Sequence, residues 1–136
     1  MNLAKSKACT ESFTNKFNGE LSIRACTSRD IKEMVSIYEK VFPTYPFPIH
    51  DPAYIQKTMY ENVDYYCAER KGVILALSST EFDMTSKSAE MTDFATLQEN
   101  RSNGCANRLL AVMEKRSFLK GIKTSCFLFG SKYTAK

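Results

Sequence analysis

Long apolar runs are missing from this chain: none, Val73 to Leu77 included, exceeds five residues, far short of the ~18 needed to span a bilayer. That length suits a buried strand. There is no C-x-x-C pair either. The five cysteines (Cys9, Cys26, Cys67, Cys105 and Cys126) are odd in number and widely spaced, which argues against a disulfide framework and a metal site and favours reduced thiols. The N-terminal stretch MNLAKSKACTESFTNKFNGE has neither a signal-peptide core nor a lipidation motif, so a cytoplasmic location without a membrane partner is expected. Dense basic blocks are also absent. The net charge of +4 arises from scattered positions such as Lys5, Lys7, Lys115, Arg116, Lys120 and Lys123. Nucleic acid is therefore not the expected partner, and a basic rim for an anionic cofactor explains the charge equally well.

What the chain does contain is enough for one domain with its own core: 136 residues, 43% apolar and 25% charged. Residues 1–20 lack periodicity and read as a flexible lead-in, leaving 21–136 as the domain. Leu21 to Ala25 alternates like a short strand. Thr27-Ser28-Arg29-Asp30 then offers capping residues to a helix whose Ile31, Met34, Val35, Tyr38 and Val41 share one face. All four prolines fall in FPTYPFPIHDP, a restricted loop, with Asp51 or a neighbour capping a second helix that carries Tyr54, Ile55, Thr58 and Met59. After Asn62 the pattern turns to strands: Val63 to Glu69, a Lys71-Gly72 turn, Val73 to Thr80, and Ser88 to Thr96. A last helix should bury Ala106, Leu109, Leu110, Met113 and Ser117 or Phe118, with Asn107, Arg108, Glu114 and Lys115 in water. Gly121 is a natural stop, and Ile122 to Leu128 can return as a strand. The expected order is β-α-α-β-β-β-α-β. A helical crossover near the end favours parallel neighbours for its flanking strands.

Between the third consecutive strand and the last helix lies Arg101-Ser102-Asn103-Gly104-Cys105-Ala106. Backbone N–H groups at a helix N-terminus lack intrahelical partners and sit at the positive end of the helix dipole, so the turn suits an anion such as a pyrophosphate. Gly104 permits close backbone approach, Arg101 adds a charge-assisted contact, and Ser102 or Asn103 can donate or cap. On spacing alone, an ordinary capped helix after a surface turn accounts for the same residues.

This turn, in this order of elements, resembles the Arg/Gln-x-x-Gly-x-Gly/Ala motif of the GNAT acyltransferase superfamily. YPFPIHDPAYIQKTMYENV (Tyr45 to Val63), AEMTDFATL (Ala89 to Leu97) and GIKT (Gly121 to Thr124) resemble more narrowly the beta-lysine N-acetyltransferases. The resemblance implies an α/β (α+β) fold, a GNAT-like mixed, mostly antiparallel sheet flanked by helices. The domain is expected to be incomplete at its C-terminus, because the family continues past the point where this chain stops into another helix and two strands. The implied function is acetyl transfer from acetyl-CoA to a primary amine, the ε-amine of β-lysine, yielding an osmolyte; the alternative is a non-catalytic coenzyme A-binding or association module. An open sheet edge near Phe127 favours self-association into a homodimer.

The resemblance also assigns roles to residues. Arg101, Ser102, Asn103, Gly104, Cys105 and Ala106 would hold the pyrophosphate, although Ser102 and Asn103 stand where the family carries Gly and a basic residue. Phe94, Ala95 and Thr96 would pair through their main chain with the pantetheine arm. A protonated amine must lose a proton before it attacks, and the carboxylates of Glu90 and Asp93 are the candidate bases. By the period of two they should point to opposite faces, with Glu90 slightly favoured and Asp93 free to bind a second amine. Tyr45, His50 and Asp51 can line an acceptor pocket, although a lone histidine beside an aspartate more often packs or caps a loop. Cys105, near a helix N-terminus, invites a thiol-nucleophile reading that direct thioester-to-amine transfer does not need. No metal is called for.

Overall fold

A computed structural model describes residues 11–14, 20–101 and 104–127. Its strands are β1 (Glu11–Thr14), β2 (Glu20–Ala25), β3 (Val63–Arg70), β4 (Val73–Asp83), β5 (Ser88–Thr96) and β6 (Thr124–Phe127). The helices are α1 (Ile31–Val41), α2 (Pro52–Tyr60) and α3 (Cys105–Leu119). The six strands lie in sequence order in one sheet. Every pair is antiparallel except β5 and β6, which α3 joins as a crossover. Helix α3 covers one face. On the other, α1 and α2 pack side by side.

Local chemistry explains the joints. Thr27 donates its backbone N–H to Asp30 Oδ2 (2.8 Å), and Arg24 forks onto both Asp30 oxygens at 2.9 Å while also contacting Glu69. This fixes the entry to α1 against the sheet. Asp51 caps α2 by accepting from Ala53 N (3.0 Å), with Pro52 at the first helical position. Lys71 and Gly72 both have positive φ, +53° and +77°, the twist that a two-residue hairpin needs between β3 and β4.

Two sequence expectations change, and the ladder adds two irregularities. The lead-in expected over residues 1–20 contributes β1, which pairs with Glu20–Ile23; four residues around one Phe are too short a pattern to register as periodic. On α3 the buried stripe is Cys105, Leu109, Val112, Met113 and Arg116 with Ser117, while Ala106 and Leu110 flank it. Phe118 is 77% exposed and Arg108 is half-buried. The helix is therefore turned from the expected phase, so that Cys105 and Val112 fill the surface over Tyr66 and Ala68. Finally, two strands carry an extra residue. Leu75 is inserted in β4 against β3, and a second insertion occurs in β5 at Asp93-Phe94 against Ser78.

Candidate functional site

The bulge in β5 determines what this site contains. Met91 faces α3, so the alternation places Glu90 and Thr92 on the α1/α2 face. Without an insertion, Asp93 would turn back toward α3. Instead Asp93 adopts φ +57°, a left-handed conformation that Asp tolerates better than most residues, and its carboxylate stays on the α1/α2 face. Phe94 then faces α3 and Ala95 the opposite core. The expectation that Glu90 and Asp93 point to opposite faces is thus overturned by one inserted residue.

Asp93 is held by two hydroxyls. Ser79 Oγ donates to Oδ2 at 2.5 Å, and the Tyr45 hydroxyl donates to Oδ1. Tyr45 reaches it because the proline-rich loop folds back after α1 and stacks its ring near Phe42, centroids 4.9 Å apart. Burial pushes the Asp93 carboxyl above its ordinary range; the Ser79 and Tyr45 hydrogen bonds oppose this, and the charge of Glu90 adds to it. Glu81, directly across the ladder from Glu90, is raised first by partial burial and then by Glu90 and Asp93. Burial also raises the Tyr54 and Tyr65 phenols, with Asp93 contributing to both. Three carboxylates therefore share one face, ringed by tyrosines.

Pairing with β6 covers Ser88 to Met91 and ends at Phe127, so among the described residues Thr92 to Thr96 have a neighbour only on the β4 side. Phe94 and Ala95 are buried as side chains, at 7% and 1% exposure, so any ligand contact there runs through main-chain groups. Just beyond, Gly104 caps α3 at φ +75°, and among the described residues no atom outside its chain neighbours lies within 4 Å of where a Cβ would stand. Strand end and helix N-terminus thus lie close together along the chain. Arg101 is exposed and directs Nε to the Thr96 carbonyl at 3.4 Å, bridging the two. Ser102 and Asn103 lie outside the described residues. Ala106 is half-buried on the first turn. Cys105 is buried and its thiol is pushed up by that burial, against the reading of an activated nucleophile.

The three proposed acceptor-pocket residues, Tyr45, His50 and Asp51, line one cleft of about 420 Å³ in the proline-rich loop, but of them only Tyr45 meets the carboxylates. His50 Nε2 contacts the Phe42 carbonyl at 2.7 Å and Asp51 caps α2, so both are engaged in shaping the loop. Sequence reasoning missed Ser79, Glu81 and Tyr54. A signal for the first two existed in LSSTE, where hydroxyls and a carboxylate interrupt an otherwise apolar strand. Among the described residues no cluster of His, Cys, Asp or Glu is placed to hold a metal ion, and no helix is long and apolar enough to cross a membrane.

This geometry can bind an anionic, extended ligand along the β5 end and the α3 N-terminus, and can present a carboxylate of raised pKa beside it. Known structures share the fold. A predicted acetyltransferase with acetyl-CoA from Clostridium acetobutylicum superposes with a TM-score of 0.66 at 20% identity, covering 79% of this chain and 80% of that one. The chain has the GNAT acetyltransferase fold. An aminoglycoside acetyltransferase from an uncultured soil metagenomic sample, in complex with sisomicin, matches as well (TM-score 0.66, 19% identity, 79% and 76% covered). In sequence, this GNAT-fold chain is 45% identical over 100 residues to the beta-lysine N(6)-acetyltransferase of Methanococcus maripaludis, covering 74% of the chain and 36% of that relative. It is 36% identical over 94 residues to the N-acetyltransferase YodP of Bacillus subtilis, covering 69% and 34%. The chain thus spans about a third of the length of the curated relatives it matches. No family model matches it.

Proposed function

We propose that this chain supplies the acetyl-CoA-binding and proton-accepting part of an N-acetyltransferase, with the ε-amine of β-lysine as acceptor. The observation that carries the reading is the β5 bulge, which keeps the Asp93 carboxylate on the face it shares with Glu90, on the strand that leads into the Gly104 turn. The similarity to enzymes named for β-lysine supports the acceptor, and an acetylated β-lysine would serve as an osmolyte. A reaction that consumes acetyl-CoA fits the cytoplasmic location expected from the sequence.

Asp93 is the base in this reading, in preference to Glu90. An alkylammonium must be deprotonated to attack, and a carboxylate raised by burial is a better proton acceptor near neutral pH than one in water. Tyr45 and Ser79 position it, each donating one hydrogen bond to a different carboxylate oxygen. Main-chain groups of Thr92 to Thr96 hold the pantetheine arm, and the amides around Gly104 and Cys105 take the pyrophosphate with Arg101 alongside. Acetyl-CoA, when bound, supplies a thioester whose carbonyl carbon bonds to the amine nitrogen as the C–S bond breaks and coenzyme A leaves as the thiol. One ammonium proton passes to Asp93, directly or through one water, before attack, and the second leaves the nitrogen after attack to protonate the departing sulfur. Glu90 tunes Asp93 through its charge.

Calorimetric titration with acetyl-CoA, followed by thiol-release assays with β-lysine and α-lysine, tests this. Heat of binding and thiol release with β-lysine are the expected outcome. Folded protein that gives no heat removes the cofactor assignment; binding without release with either amine leaves a coenzyme A-binding module.

A further inference from the structure

A tyrosine buried in a protein ordinarily keeps a partner for its hydroxyl. Two of the three buried tyrosines among the described residues follow that rule. Tyr65 shares a hydrogen bond with Thr58 Oγ1 at 2.8 Å, and Tyr66 donates to Asp64 at 3.5 Å. Tyr38 does not. It is 0% exposed, and its hydroxyl has no hydrogen-bond partner among the described residues. A phenylalanine would fill nearly the same volume without stranding a polar atom, so core packing alone does not account for the tyrosine.

Its placement supplies a reason. Tyr38 lies in the last turn of α1, on the buried stripe that packs against Tyr65, Cys67, Leu77 and Ala95 of the sheet. Phe42 stacks on it, with ring centroids 6.2 Å apart and planes 16° apart, and Tyr45 continues the row to Asp93. Burial lifts the Tyr38 phenol well above its ordinary value, and among the neighbouring charges Asp93 adds most, ahead of Tyr65, Cys26 and Tyr45. The hydroxyl thus stays a neutral donor. It makes no direct hydrogen bond to Asp93 yet senses its charge, the spacing at which a water bridges two polar groups. The other groups facing Asp93 are Tyr54 from α2, Tyr65 from β3, Ser79 and Glu81 from β4, and Glu90 on its own strand. Of these, Ser79 alone donates to the carboxylate.

We propose that Tyr38 is a positioning residue for the base: its hydroxyl donates through one buried water to the Asp93 carboxylate, as a third donor beside Tyr45 and Ser79, and touches neither substrate. The inference rests on the acetyl-transfer reading for the role of Asp93. An ionised carboxylate has about four lone-pair sites, of which the two direct hydroxyls use two, so a third donor has room. A hydrogen bond to the ionised form favours that form. Tyr38 therefore opposes the upward push of burial and of Glu90, and keeps more of Asp93 ionised and ready to take a proton.

Tyr38→Phe removes the hydroxyl and keeps the ring. The Asp93 carboxyl, followed by NMR of its carboxyl carbon in the protein without ligands, should then titrate roughly 0.5 pH unit or more above wild type. The acid limb of kcat/KM for the amine should move the same way, and kcat should fall several-fold while KM for acetyl-CoA stays unchanged. Placing 3-fluorotyrosine at position 38 makes the hydroxyl a stronger donor and should move titration and limb downward. A change of packing does not reverse sign in this way. Coincident Asp93 titrations in wild type, Tyr38→Phe and the fluorotyrosine protein overturn the inference. So does a Tyr38→Phe protein that melts higher with an unmoved pH profile, the signature of a hydroxyl merely tolerated in the core. The two readings fail separately, because the titration needs no turnover. Displaced titrations without thiol release keep Tyr38 and remove acetyl transfer, whereas release with coincident titrations does the reverse.

Discussion

The two faces of the sheet treat buried charge in opposite ways. Under α3, Asp64 is 6% exposed and is met by Lys120 at 3.2 Å, whose Nζ also sits 4.3 Å from the centre of the Phe82 ring. That carboxylate is neutralised on the spot. Under α1 and α2, Asp93 receives only hydroxyl partners, and Glu81 and Glu90 face each other without a cation among the described residues. A face built solely for stability would resemble the first. The second keeps the Asp93 and Glu81 carboxyls raised, and such perturbation clusters where chemistry is done.

Breaking the second face should cost activity and little else. Asp93→Asn removes the base while keeping the shape and much of the hydrogen bonding to Tyr45 and Ser79. We expect kcat/KM for the amine to fall by roughly 10²–10⁴ with coenzyme A affinity unchanged, measured by thiol release and calorimetry. A loss confined to KM would assign Asp93 to binding alone. The first face should behave in the opposite sense. Leu109→Ala removes a fully buried side chain between α3 and the sheet and should destabilise by about 2–5 kcal/mol in denaturant melts. Phe118→Ala, on the exposed flank of the same helix, should stay within roughly 0.5 kcal/mol of wild type. Comparable losses for the two would mean that α3 packs in the other phase.

The comparison extends to the end of β5. Gly104→Val places a β-branched residue at φ +75°, where only glycine sits without strain, and fills the open space before the first amides of α3. Affinity for coenzyme A should fall about tenfold or more, which corresponds to roughly 1.4 kcal/mol of binding free energy. Retained affinity with an intact circular dichroism spectrum would move the phosphate site elsewhere.

Much of this was legible in the sequence because it is local. Thr27 to Asp30, Asp51 with Pro52, and Lys71-Gly72 each specify a joint through a few neighbouring atoms, and the structure has all three. Tyr45, Asp93 and the Gly104 turn could likewise be named from spacing and resemblance. What stayed hidden depends on register. One inserted residue in β5 leaves the alternation normal on either side, so nothing in EMTDFAT announces that Asp93 shares a face with Glu90. The partnership of Ser79 with Asp93, and of Glu81 with Glu90, exists only once β4 and β5 are aligned. The phase of α3 was lost for a related reason. Cys105, Val112 and Arg116 are buried by the width of the sheet beneath them, which the helix's own periodicity does not encode.

The finest expected difference is a displacement on the pH axis, and it ties the two glutamates to the base. Glu90 raises the Asp93 carboxyl by its negative charge. A base must be deprotonated to act, so the acid limb of kcat/KM should lie above the ordinary carboxylate range in wild type. Glu90→Gln removes that charge, lowers the Asp93 pKa, and should move the limb toward lower pH, whatever it does to the amplitude. Stability should follow the same sign. A carboxyl raised on folding contributes stability that is fully present below its unfolded pKa and is lost as pH rises through the folded value. Glu90→Gln should narrow that window, and Asp93→Asn should abolish it in melts followed across the acid range. A limb that stays in place in Glu90→Gln would mean that Glu90 and Asp93 do not sense each other across the bulge, and the shared face would lose its electrostatic basis.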